Sequence, residues 1–274
     1  MDCCQKKAEC SEKNDDCSQK KEECCEKKVV CCPQGSAGAL GTCTEGTGKE
    51  TKIEGLTVYE VGSGDRVIII VHDVFGLQAG HGKANADRFA KAGFKVYYPD
   101  LYHGEPFPED GKFDHTFVEW CKKFPYSKVG PSLKDILIPH AKANGAKSIG
   151  VTGYCWGFWA MTQLCAESAE VLAAVHVHPS PPIFKILGEE MLPFAEKINA
   201  AQLFLPVGAD DASIKEDGEY YLALKKRLGD KVENHEFPDE VHGFVARGDL
   251  SVQKTKEAVE KAFELSIEFF NKHL

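Results

Sequence analysis

Cys155 stands at the centre of Gly153-Tyr154-Cys155-Trp156-Gly157, a G-x-C-x-G pentapeptide between an apolar run over 148–152 and a helix-like stretch over 158–167. Strand, sharp turn and helix in that order make the nucleophile elbow of G-x-S-x-G enzymes, here with a thiol in place of the hydroxyl. An elbow holds its central residue in a strained backbone conformation, and glycine two places to either side lets strand and helix approach. A thiol at a helix N-terminus is favoured as thiolate by the helix dipole. Pentapeptides of this form also arise by chance in turns, so the reading depends on partners elsewhere in the chain.

A nucleophilic cysteine needs a base, and the base needs a third group to hold its tautomer. A strand expected over 202–207 runs into Gly208-Ala209-Asp210-Asp211, and one over 232–237 runs into Pro238-Asp239-Glu240-Val241-His242. Cys155, Asp210 and His242 therefore follow the order nucleophile, acid, histidine. Each sits at the C-terminal edge of a strand, where open parallel sheets bind ligands. Blander roles compete: Asp210 or Asp211 could cap the next helix, and nine other histidines compete with His242. His176 and His178 alternate on one strand as two metal ligands would, but no third ligand lies nearby, so no metal and no cofactor is expected. His178 is placed at the pocket rim and His176 in the core.

The elements that must position these residues alternate. An edge strand over 57–61 and a turn over 62–65 lead to a β-branched run over 66–71, the pattern of a strand buried on both faces. Helices are expected over 83–92, 132–143, 189–198, 216–228 and 251–271, with further strands over 95–98 and 171–175. Prolines and aromatics between 100 and 126 suggest an insertion beside a pocket. Repeated β-α units predict an α/β fold: a mostly parallel central sheet with helices on both faces.

A formal charge of −9 over 274 residues argues against nucleic acid or an anionic membrane surface as partner. No run approaches 18 apolar residues and no apolar stretch opens the chain, so the expectation is no membrane span, no secretory leader and a cytoplasmic location. Nine of the twelve cysteines fall within residues 1–43, and Cys3, Cys10, Cys17, Cys24 and Cys31 recur every seven residues. A coiled coil needs a second apolar position per repeat, which is polar here, and zinc sites prefer closer spacing. Residues 1–50 read as a disordered low-complexity tail and Gly/Ser/Thr-rich linker that could bind soft metals, form interchain disulfides or be acylated. The folded body is expected over 51–274.

Over about residues 53–272 the chain resembles the dienelactone hydrolase family of the α/β-hydrolase superfamily. The resemblance rests on His72-Asp73-Val74-Phe75-Gly76-Leu77, Tyr98-Pro99-Asp100-Leu101-Tyr102, the Cys155 pentapeptide, Gly208-Ala209-Asp210, and His242-Gly243-Phe244 with Arg247. It implies an α/β-hydrolase fold and a triad of Cys155, Asp210 and His242. It also implies an oxyanion hole from the N–H groups of Val74 and Trp156, and an acid at Asp73 that modulates the thiol. The family carries Glu where this chain has Asp73, shorter by a methylene. Arg247 is the one arginine beside a matching block, so the arginines expected to bind a dienelactone carboxylate are incomplete; Lys122, Lys123 or Lys128 would replace the fork with a point charge.

The expected activity is hydrolysis of a small carboxylic ester or lactone through a thioester. Phe75, Tyr102, His178, Phe244 and Arg247 are the expected substrate-binding residues. Alternatives are a thioesterase or glycan-ester hydrolase on the same triad, or a non-catalytic metal- or redox-binding protein acting through its cysteine tail.

Overall fold

The run Arg66–Val71 forms β3, and its period-2 alternation divides the core. Val67, Ile69 and Val71 pack into one apolar cluster, while Ile68 and Ile70 pack into the other. A strand with no polar face must lie in the middle of the sheet. β3 sits fourth in an eight-stranded sheet of order β1-β2-β4-β3-β5-β6-β7-β8. The strands are β1 Lys49–Ile53, β2 Leu56–Val61, β3, β4 Lys95–Pro99, β5 Ser148–Cys155, β6 Val171–Pro179, β7 Ala201–Leu205 and β8 Val232–Asn234. β1, β2 and β4 pair antiparallel, and every pairing from β4 through β8 is parallel. This computed structural model describes Pro33, residues 35–38 and residues 44–274. The readings of the cysteine repeat lie outside the described residues.

Helices cover both faces. On one, α1 (Gly82–Lys91) lies beside the C-terminal helix Gln253–His273. That long helix buries Val259, Ala262, Phe263, Ser266, Phe269 and Phe270, an i, i+3, i+4, i+7 stripe. The Phe263 ring meets Phe89 at 5.1 Å, and burying a phenylalanine of this kind is worth about 1.5–3 kcal/mol. The opposite face is covered by α2 (His115–Lys122), the continuous helical stretch of α3 (Tyr126–Pro131), a π-helical turn Ser132–Leu137 and α4 (Ile138–Ala143), and α5 (Gly157–Glu167).

Three departures from the expected elements have local causes. Of the helix anticipated over 189–198 only α7 (Leu192–Ala195) forms, and an unanticipated α6 (Pro182–Ile186) precedes it, with Gly188 at φ +74 between them. Pro193 is tolerated only in a first turn, which fixes where α7 begins. β8 stops at Asn234, and pairing resumes only at the bridge between Val207 and Phe237. The strand expected at the sheet edge over 57–61 lies second instead, because Lys49–Ile53 forms β1 and pairs antiparallel outside it. α8 (Glu219–Leu228), α9 (Phe244–Arg247) and α10, the C-terminal helix, complete the order.

Candidate active site

β5 delivers Cys155 to the carboxyl edge of the sheet between β3 and β6, and the residue turns there with φ +52. Such a backbone costs a non-glycine residue free energy that the surroundings must offset. They do so through two glycines. A Cβ on Gly157 would stand 2.7 Å from Val71 O, and one on Gly153 would stand 3.1 Å from the Gly157 carbonyl carbon and press on Met161, so glycine at both places lets α5 lie this close to β3 and β5. Ser180 N donates to Cys155 O at 3.2 Å and ties the elbow to the end of β6.

Asp210 and Asp211 separate cleanly in role. Asp211 accepts from Ser213 N and caps the following turn. Asp210 accepts from Val207 N through Oδ2 at 2.9 Å and from His242 Nδ1 through Oδ1 at 2.6 Å. With Nδ1 donating to Asp210, Nε2 is the nitrogen left to interact with the Cys155 thiol. The His242 and Asp210 side chains are 0% and 1% exposed. Burial works against the imidazolium, but the Cys155 thiolate and the Asp210 carboxylate outweigh it and raise the His242 pKa to about 9. The arrangement can hold a thiolate–imidazolium pair at neutral pH.

The loop after β3 carries Val74 and is fixed on every side. Phe75 N donates to Asp73 Oδ1, Gly76 N to Asp73 O, and Phe107 N to Val74 O. His72, whose role the sequence did not suggest, accepts from Leu101 N through Nε2 and donates from Nδ1 to Asp73 O. Its ring stacks on Trp156 at 5.9 Å. Val74 and Trp156 thus open the turns at the carboxyl ends of neighbouring parallel strands.

The other expected residues divide. Asp73 is engaged by Arg247, Nη1 to Oδ2 at 2.8 Å, in a pair with side chains 6% and 1% exposed. The Arg247 guanidinium also lies 4.9 Å from the Phe75 ring centroid. Tyr102 is buried among His72, Trp120 and Trp156 beneath the loop, and Phe244 packs on Phe237. Both belong to the core. His178 is not on a rim: it is inaccessible, adopts φ +38, stacks on Tyr154 and meets the His242 ring at 5.0 Å. His176 packs as expected and bonds Gln202 at 2.7 Å. Lys122 pairs with Glu119 on the surface.

Beside His242 opens a cleft of about 210 Å³ lined by Pro33, Pro179, Ser180, Pro182, Ala209, Asp210, Asp211 and His242; the inaccessible Cys155 does not line it. Ser180 and Pro33 were not anticipated; no spacing rule links residue 33 to residue 242. Among the described residues no group of three His, Cys, Asp or Glu side chains could hold a metal ion, and no helix is long and apolar enough to cross a membrane. Cys121, Cys155 and Cys165 are all buried.

A mostly parallel sheet with helices on both faces, a strained elbow after its central strand, and an acid and a histidine at later strand ends is the arrangement of an α/β-hydrolase. The profile of the dienelactone hydrolase family matches residues 53–274, and the chain belongs to that family of carboxylic ester hydrolases. It is 27% identical over 239 residues to the human carboxymethylenebutenolidase homolog, covering 84% of this chain and 92% of the relative. It is 30% identical over 249 residues to an uncharacterized AIM2-family protein of Schizosaccharomyces pombe, covering 86% and 96%. Among solved structures, a dienelactone hydrolase-like promiscuous phosphotriesterase from metagenomic libraries superposes with TM-score 0.60 at 18% identity, covering 83% of this chain and 98% of its own. That likeness concerns the fold alone.

Proposed function

We propose that this chain hydrolyses small, uncharged carboxylic esters or lactones with Cys155 as nucleophile, His242 as base and Asp210 as its orienting acid. The observation that carries the reading is the inaccessible 2.6 Å contact from Asp210 to His242, whose other ring nitrogen faces a thiol on a strained elbow. The thiolate would attack the ester carbonyl, and the N–H groups of Val74 and Trp156 would stabilise the oxyanion, each worth a few kcal/mol. The imidazolium would protonate the departing alkoxide, leaving a thioester on Cys155. His242, now neutral, would take a proton from water as the water oxygen attacks the thioester, and the C–S bond would break to release the acid and restore the Cys155 thiolate beside the His242 imidazolium. The cleft beside His242 and Asp210 is the opening from which a small ester would approach.

Turnover of p-nitrophenyl acetate by the whole chain, with and without Cys155→Ala, tests this. The expected loss is about a thousandfold or more. Turnover that survives the substitution removes Cys155 from the mechanism.

A further inference from the structure

Pro33 and residues 35–38 lie outside the sheet, yet they are tied to the catalytic loops. Ser36 donates to Pro33 O from both N and Oγ, at 3.2 and 2.6 Å, and Gly35 takes φ +84 inside the turn so closed. A positive φ at that third turn position is where glycine is favoured. Ala37 N donates to His242 O at 2.8 Å, and Ala37 O accepts from Arg247 Nε at 3.3 Å. The same guanidinium holds Asp73, the neighbour of Val74. The segment therefore joins the main chain of the candidate base to the loop bearing a candidate oxyanion donor. Downstream, Thr44 N donates to Gly80 O at 2.9 Å, so the segment is anchored beyond the site as well.

The turn has a consequence for the cleft. It sets Pro33 against the opening beside His242, facing Ser180 and Pro182. Proline has a fixed φ and a rigid ring, so the wall it makes yields little. We infer that this segment is a wall of the active site, and that Pro33 and Ala37 are specificity-determining residues: Pro33 limits the size of the ester group admitted beside His242, and Ala37 holds the wall in place. The inference rests on the Cys155–His242–Asp210 reading for what the cleft receives.

The test uses the full-length chain and two variants. Ala37→Pro deletes the N–H that reaches His242 O, and Pro33→Gly trims the wall while keeping every main-chain bond. The first readout is the ratio of kcat/KM for p-nitrophenyl acetate over p-nitrophenyl octanoate. The second is labelling of Cys155 by iodoacetamide against a bulky fluorescein maleimide, with the site assigned by peptide mass spectrometry. Both variants should cut the preference for acetate by about tenfold, the scale on which a pocket discriminates alkyl groups. They should also speed bulky labelling relative to small. Unchanged ratios in both readouts overturn the wall. If turnover proves independent of Cys155 while the labelling ratio still shifts, the wall stands and the proposed nucleophile falls.

Discussion

Arg247 Nη1 lies 2.8 Å from Asp73 Oδ2, with both side chains almost closed to solvent, so the arginine beside the candidate site is already neutralised within the protein. The pair spans 174 positions of sequence and links the loop after β3 to α9. A substrate carboxylate would have to compete with Asp73 for it.

Two measurements follow for that pair. Arg247→Ala strands a buried carboxylate and should cost about 3–5 kcal/mol in urea unfolding. Adding Asp73→Asn should recover much of the loss, because the amide oxygen can still accept from Phe75 N. Anionic and neutral p-nitrophenyl esters of equal length should react with similar kcat/KM in the wild type. A strong preference for the anion would show that Arg247 leaves Asp73 on binding.

His242 sets the pH behaviour of the thiol. Its folded pKa of about 9 lies above that of a free imidazole, so the proton stays on through neutral pH and favours the Cys155 thiolate. Alkylation of Cys155 by iodoacetamide should therefore remain fast at pH 7, where a free thiol of pKa about 8.5 is mostly protonated. Asp210→Asn removes one of the charges holding the proton and should slow the reaction at pH 7 more than at pH 9. A wild-type profile that rises only through the free-thiol range would dissolve the ion pair.

Gly157 tests the elbow without touching the triad. A Cβ there meets Val71 O at 2.7 Å and His72 O at 3.1 Å, both rigid backbone. Gly157→Ala must push α5 away from β3, displacing Trp156 from the neighbourhood of Val74. Such overpacking should cost about 1–3 kcal/mol in stability, with ester turnover falling further than that loss of folded protein explains. A variant with wild-type turnover would show that the two N–H groups need not be held together.

Much of this site is legible in the sequence because its residues sit where periodic patterns end. The β-branched run of β3, the apolar β5 and the strands before Asp210 and His242 announce themselves locally, and their carboxyl ends converge because the sheet is parallel. Asp73–Arg247 is different: it joins loops that periodicity does not relate. Phe244 and Tyr102 look like pocket aromatics in sequence, yet they fill gaps between layers, a distinction set by packing depth rather than residue type. Pro33 is hidden for the opposite reason, since a Gly/Ser-rich stretch carries no apolar signal even where its backbone is hydrogen-bonded.

The buried histidines imply an asymmetric pH range for folding. Burial lowers the pKa of His72, brings His176 down to about 4, and pushes His178 well below the usual range with help from the positive neighbours His242 and Arg247. Each binds a proton more readily when unfolded, so the stability each contributes is present above the free-imidazole pKa of about 6.5 and is lost as pH falls below it. The limiting slope is about 1.4 kcal/mol per pH unit for each histidine, or about 4 for the three together. His242 and Cys155 titrate as a pair: with the proton on His242 and the thiol ionised, the folded chain binds as many protons near neutral pH as an unfolded thiol and neutral imidazole, so the pair gives no alkaline limb there. Stability should be level from about pH 7 to about 8.5 and fall steeply below about pH 6. Urea midpoints at half-unit steps of pH would show it. His178→Phe keeps the ring but not the proton site, so it should take about 1.4 kcal/mol per pH unit off the acid limb. An acid limb unchanged by that variant would mean the His178 ring is protonated in the folded chain.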